Sequence, residues 1–132
     1  MTDTIADRTV LITGAGRGLG AALAKAFARE GASVALNYRR SAKEALALAE
    51  ELGPRAAAFK ADVTNAEAVT KMVGQITEQL GAPTVLVHNA LADFSFNGDA
   101  RPHLDTLEWA DIAAQTEVAV GGALNAIRAL QP

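Results

Sequence analysis

The run Thr13-Gly14-Ala15-Gly16-Arg17-Gly18-Leu19-Gly20 constrains this chain more than any other feature. It follows Thr9-Val10-Leu11-Ile12-Thr13, which reads as a buried strand, and precedes Leu19, Ala22, Leu23, Ala26 and Phe27, apolar at helical spacing. Gly14 suits the tight turn that leaves a strand. Gly18 offers backbone without a Cβ, and Gly20 lets the helix lie close to the strand. Glycines serving only a turn are the competing reading. The spacing excludes a phosphate loop of the ATPase type, because no Gly-Lys-Ser/Thr follows.

Beyond the loop, short apolar runs alternate with longer helical patterns. Gly31 stops the first helix, and Ser33-Val34-Ala35-Leu36-Asn37-Tyr38 reads as a second strand. Ser41 with Glu44 predicts a capping box before the stripe Ala45, Leu48, Ala49 and Leu52, which Gly53-Pro54 closes. Ala56 to Ala61 reads as a third strand. Thr64 with Glu67 predicts a second capping box, ahead of Val69, Met72, Val73, Ile76 and Leu80. After Gly81 and Pro83, Val85-Leu86-Val87 reads as a fourth strand, then a polar loop from about Asn89 to Leu104 and a long helix from near Asp105 to Leu130. Parallel strands need crossovers, which are right-handed almost without exception. The expectation is one α/β domain over 1–132: a Rossmann-type doubly wound parallel sheet in the order 3-2-1-4, truncated after the fourth strand and its following helix.

A glycine loop between strand and helix presents unpaired N–H groups and a partial positive charge, suited to a diphosphate. At the end of the second strand, about 20 residues past the loop, a carboxylate would bind an adenosine ribose and repel a 2′-phosphate. Here the chain reads Asn37-Tyr38-Arg39-Arg40-Ser41. Arginine pairs with phosphate through charge-assisted, bidentate bonds, and Arg17 adds a third charge from the loop. These residues favour NADP(H) over NAD(H). A merely solvated turn at Arg39 and Arg40 is the alternative.

With these features the chain resembles the short-chain dehydrogenase/reductase family, within its 3-oxoacyl-carrier-protein-reductase-like group. The resemblance spans the whole sequence. It rests on Thr13-Gly14-x-x-x-Gly18-x-Gly20, Asp62-Val63-Thr64 after the third strand and Asn89-Ala90 after the fourth. It implies that Asp62 bonds the adenine, that the backbone of Val63 lines its pocket, and that Asn89 and Ala90 border the cofactor. The expected cofactor-binding set is therefore Gly14, Arg17, Gly18, Leu19, Gly20, Tyr38, Arg39, Arg40, Asp62, Val63, Asn89 and Ala90. Taken alone, Asp62 reads equally as a helix-entry residue and Asn89 as a turn former.

Three departures bear on activity. The family's Asn-Asn-Ala-Gly motif stands here as His88-Asn89-Ala90-Leu91, and His88 reads either as a proton carrier or as a satisfied structural histidine. Aligning Trp109 and Gly122-Ala123-Leu124-Asn125 puts Ala119 where the family carries a catalytic asparagine, and Asn125 faces another direction on the helix. The family's serine and Tyr-x-x-x-Lys are not in this sequence, whose only tyrosine is Tyr38. No catalytic residue is assigned, and inactivity of this chain alone is expected. Three readings stay open: the cofactor-binding half of a carbonyl/alcohol oxidoreductase acting on 3-oxoacyl thioesters, a non-catalytic dinucleotide-binding module, or an inactive fragment. Asp93-Phe94-Ser95-Phe96-Asn97 hints at an apolar substrate wall.

Composition narrows the partners. Half of the 132 residues are hydrophobic, enough for a core. Lys+Arg 12 against Asp+Glu 15 gives a net charge of −3, which argues against nucleic acid. There is no cysteine, so no disulfide or thiolate chemistry, and His88 and His103 lack the spacing of a metal site. The polar start Met1-Thr2-Asp3-Thr4 does not resemble a secretion signal, and no membrane-length apolar run occurs. A cytoplasmic protein is expected, self-associating through the sheet edge at Thr84–Val87 or through its last helix.

Overall fold

The computed structural model describes residues 3–93 and 102–132. Four strands, β1 (Thr9–Ile12), β2 (Ser33–Tyr38), β3 (Ala56–Lys60) and β4 (Val85–Val87), alternate with α1 (Gly18–Arg29), α2 (Ala42–Leu52) and α3 (Ala66–Leu80). A final helical stretch comprises α4 (Trp109–Thr116), a π-helical segment (Glu117–Gly121) and α5 (Gly122–Leu130). All pairings are parallel, in the order β3-β2-β1-β4. The expected order 3-2-1-4 is observed.

Strand alternation divides the core into two layers. Val10, Ile12, Val34 and Leu36 point to one face, where Ala24 of α1 and Leu48 of α2 meet them. Leu11, Ala35, Ala57 and Phe59 point to the other, against Val69, Met72 and Ile76 of α3 and Ala126 of α5. Burial on both faces is why β1 and most of β2 read as continuous apolar runs. Each large aliphatic side chain buried this way stabilises the fold by roughly 1.5–3 kcal/mol before entropy is counted. In register, Ile12 lies beside Leu36 of β2 and Val87 of β4. The carboxyl ends of β1 and β4 thus finish level, β2 runs on to Tyr38, and the glycine run leaves the sheet from β1 at that edge.

Three local expectations are corrected. Ser41 precedes α2 but makes no side-chain cap, and its hydroxyl lies against Gly16 instead. Thr64 does not cap α3, because its hydroxyl is bonded to Asp62 Oδ1 at 2.7 Å. The cap is Asn65, whose Oδ1 accepts from the Ala68 N–H at 3.0 Å. The last helix starts at Trp109 rather than near Asp105, because Glu108 and Asp111 form a reciprocal capping box there. The chain just before it turns at His103–Thr106, closed by Thr106 N–H to the His103 carbonyl. The glycine stops hold: Gly53 and Gly81 end α2 and α3 with φ of +93° and +99°.

Candidate functional site: the crevice at the carboxyl ends of β1, β2 and β4

The glycine run is shaped by close approach at one end and by openness at the other. Gly14 has φ +62°, and a Cβ there would stand 2.9 Å from the Ala90 Cα. A Cβ on Gly20 would meet the Gly14 carbonyl at 2.5 Å and the Asn89 Nδ2 at 2.7 Å. Asn89 donates from Nδ2 to the carbonyls of Thr13 (3.3 Å) and Gly14 (3.0 Å), which locks the turn to the end of β4. Gly18 has φ +61° and nothing within 4 Å of where its side chain would project. It opens α1 next to exposed Arg17 and Leu19, and Arg17 supplies no side-chain cap. The N–H groups of the first turn of α1 therefore have no intrahelical partner. An uncapped helix start, bare backbone and an adjoining guanidinium make a cradle that fits a diphosphate.

One side chain that the sequence did not single out, Asn37, joins Thr13 and His88 in holding this cradle in place. Asn37 is 2% exposed inside the apolar β2. Its Oδ1 accepts from the Gly14 N–H (3.3 Å), its Nδ2 donates to the Ala61 carbonyl (3.0 Å), and its own carbonyl accepts from Ala15 N–H (2.9 Å). A polar residue within a strand buried on both faces was the available signal. Thr13 accepts from the Asn89 and Ala90 N–H groups at 2.9 and 3.1 Å. With both lone pairs taken, its hydroxyl proton is left for Nδ1 of His88, 3.0 Å away. His88 Nε2 then carries the ring proton and donates it to the Val118 carbonyl at 3.1 Å, in the π segment. Both ring nitrogens are committed to the fold, as a structural histidine requires.

The π segment contains Ala119, half-buried and carrying only a methyl group. Next to it, Gly122 allows α5 to press on the site. A Cβ there would stand 2.7 Å from Val63 Cγ2 and 3.1 Å from His88 Cε1. Asn125 has a role that sequence reasoning missed: its Nδ2 donates to the Val63 carbonyl at 2.9 Å and ties α5 to the Asp62–Val63 segment. Asp62 is not the entry residue of α3. Its Oδ1 accepts from the Thr64 hydroxyl and, at 2.9 Å, the Thr64 N–H. Those two bonds, the hydroxyl first, hold its carboxyl below the usual carboxylate range, helped by Arg39 and Arg40.

Tyr38 ends β2 half-buried, and the exposed Arg39 and Arg40 follow. Both guanidiniums pair with Asp93, at 3.5 Å from Arg39 and 2.7 Å from Arg40. The expected binding residues thus gather at one edge of the sheet: the glycine run, the end of β2, Asp62–Val63 after β3 and Asn89–Ala90 after β4. The Phe94–Asn97 part of the expected substrate wall lies outside the described residues. Among the described residues, no three His, Asp or Glu side chains cluster as a metal site would need. Nor is any described helix long and apolar enough to cross a membrane.

Residues 8–132 match the family model of the short chain dehydrogenases. The chain is 39% identical over 93 residues to 3beta-hydroxysteroid dehydrogenase 1 of Eggerthella lenta, covering 68% of this chain and 36% of that protein. To a sorbitol dehydrogenase of Cereibacter sphaeroides it is 41% identical over 83 residues, covering 63% and 32%. Among solved structures, a short chain dehydrogenase from Burkholderia cenocepacia in complex with NADP superposes with TM-score 0.78 at 37% identity, over 95% of this chain and 49% of that one. A blue fluorescent protein from a metagenomic library, in complex with NADPH, gives TM-score 0.82 at 31% identity, over 98% and 52%. The sequence and its fold thus place the chain in the short-chain dehydrogenase/reductase family. It spans about a third of the length of these curated relatives and about half of the solved structures.

Proposed function

We propose that this chain is the dinucleotide-binding part of an NADP(H)-dependent oxidoreductase that interconverts a carbonyl and an alcohol. The observation that carries the reading is a pair of exposed cations, Arg39 and Arg40, just past the end of β2, the strand beside the one that leads through the glycine run into the uncapped start of α1. In this reading Gly14, Gly18, Leu19 and Gly20 cradle the diphosphate, aided by Arg17. Arg39 and Arg40 hold the 2′-phosphate, Tyr38 lies beside the ribose, and Asp62 with Val63 receives the adenine. Asn89 and Ala90 border the nicotinamide half. The bound cofactor supplies hydride chemistry, and the chain's own residues bind and orient it. The relatives described above, crystallised with NADP or NADPH, support the cofactor class. A 3-oxoacyl thioester as substrate rests on the sequence resemblance alone. The half-buried β4 at the sheet edge, with exposed Val120, Leu124 and Ile127 on the last helical stretch, supports self-association.

A second reading, a dinucleotide-binding module without catalysis, is favoured by Ala119 at the place of the family's asparagine. Calorimetric titration with NADPH and NADH tests the cofactor assignment. Tighter binding of NADPH by about tenfold is expected, equivalent to about 1.4 kcal/mol. Replacing Arg39 and Arg40 together by alanine removes that preference while NADH affinity changes little. Equal losses for the two nucleotides overturn the assignment.

A further inference from the structure

Beyond the arginines lies a carboxylate in the position their ligand needs. The segment leaving β4 carries Ala90 beneath Gly14 and then reaches the end of β2, where Asp93 pairs with both guanidiniums. In the sheet, β1 lies between β4 and β2, so this segment crosses the crevice mouth in front of β1. Its path is also held from α4, where Gln115 Nε2 donates to the Ala92 carbonyl at 3.4 Å. The other nearby carboxylate, Asp62, has its Oδ1 engaged by Thr64 and makes no ion pair with the arginines.

We propose that Asp93 is a specificity-determining residue: its carboxylate engages one guanidinium nitrogen each of Arg39 and Arg40 and must leave before a 2′-phosphate can take both arginines. A carboxylate and a phosphate monoester each offer a guanidinium a pair of anionic oxygens, so they compete for the same N–H donors. NADH brings no phosphate to this point, and the Asp93 pairs survive its binding. Asp93 therefore lowers affinity for the phosphorylated cofactor selectively and narrows the preference that the arginines create. Both pairs are solvent-exposed, which makes the effect moderate. The inference rests on the NADP(H) reading only in taking the end of β2 as the site of the 2′-phosphate.

The test is Asp93→Asn, which keeps the side-chain shape and removes the charge, titrated with NADPH and NADH by calorimetry. NADPH should bind about three- to tenfold more tightly than to the wild type. NADH should change less than about twofold, since it brings no phosphate to the guanidiniums that Asp93 engages and both pairs are exposed to solvent. On the background of Arg39→Ala with Arg40→Ala, the same substitution should have no selective effect. Unchanged or weakened NADPH binding in Asp93→Asn overturns the inference, as does an equal gain for both nucleotides or a gain that persists without the arginines. The two proposals fail separately. A wild type without NADPH preference whose Asp93→Asn variant gains one refutes the cofactor assignment and upholds the role of Asp93. A wild type that prefers NADPH, with an indifferent Asp93→Asn, does the reverse. Binding of neither nucleotide by either protein refutes both.

Discussion

The centre of this sheet and its β4 edge are built on different terms. Around β1 and β2 the strands are buried on both faces, and Gly14, Gly20, Asn37, Thr13 and Asn89 interlock at atomic contact. Around β4 every strand residue is only half-buried, α4 buries no residue, and Trp109, Val120 and Ile127 are exposed. The cradle is over-determined, so a small change there has no room to relax. In the last helical stretch α5 packs on the core through Ala126, Ala129 and Leu130, with Gly122 against Val63 and the Asn125 tether, while α4 buries nothing and the π segment is held by the His88–Val118 bond. Precision is concentrated where a ligand would sit.

Substitutions of similar size in these two regions should therefore differ sharply. The largest contrast is between glycines. Gly20→Ala drives a methyl into the Gly14 carbonyl and the Asn89 amide and should cost about 3 kcal/mol in denaturant unfolding. Gly121→Ala, at helical φ −62° with its nearest neighbour 4.0 Å away, should stabilise by roughly 0.5–1 kcal/mol. Similar values for the two would erase the distinction. Next, Asn37→Leu leaves the Gly14 N–H without its acceptor and should cost about 2 kcal/mol. Nucleotide affinity should fall with it, and a variant that loses neither would show that the loop holds its own shape.

Acid sharpens the comparison further. Asp62 has a folded-state pKa below its ordinary value, so the unfolded chain takes up its proton first as pH falls. Its stabilising contribution is whole well above the unfolded value of about 3.9 and drains away as pH drops through the lower folded value. Asp62→Asn should therefore lose less stability than the wild type between about pH 5 and pH 3, followed by urea unfolding at each pH. Parallel curves would remove the Thr64 bonds as the cause. The smallest effect belongs to the open β4 side. Val120→Thr, on a side chain 64% exposed, should stay within about 0.5 kcal/mol of the wild type. A loss well above 1 kcal/mol would mean that this face is packed after all.

Much of this architecture was legible along the chain. Ser33 to Tyr38 reads as a strand with the bounds it has, because an apolar run buried on both faces leaves a nearly unbroken local signature. The glycine run was legible because its spacing states where backbone must come close. The misread capping boxes show the limit. Ser41 and Thr64 have the right neighbours in sequence, yet Thr64 spends its hydroxyl on Asp62 and Ser41 abuts Gly16. Such choices depend on which partner the fold delivers. For the same reason the anchors escaped notice. Asn37 is separated from Gly14 by 23 residues, and Asn125 from Val63 by 62.

Local pattern alone was enough for the βα order, the parallel sheet and the position of the cradle, because apolar periodicity and glycine spacing act within a few residues and mean the same in any surroundings. Folding in three dimensions decided what holds the cradle and what faces the arginines: Asn37 under the loop, His88 between Thr13 and the π segment, and Asp93 across from Arg39 and Arg40. Hydrogen bonds and ion pairs are made by atoms a few ångströms apart, and only the completed sheet brings those atoms together.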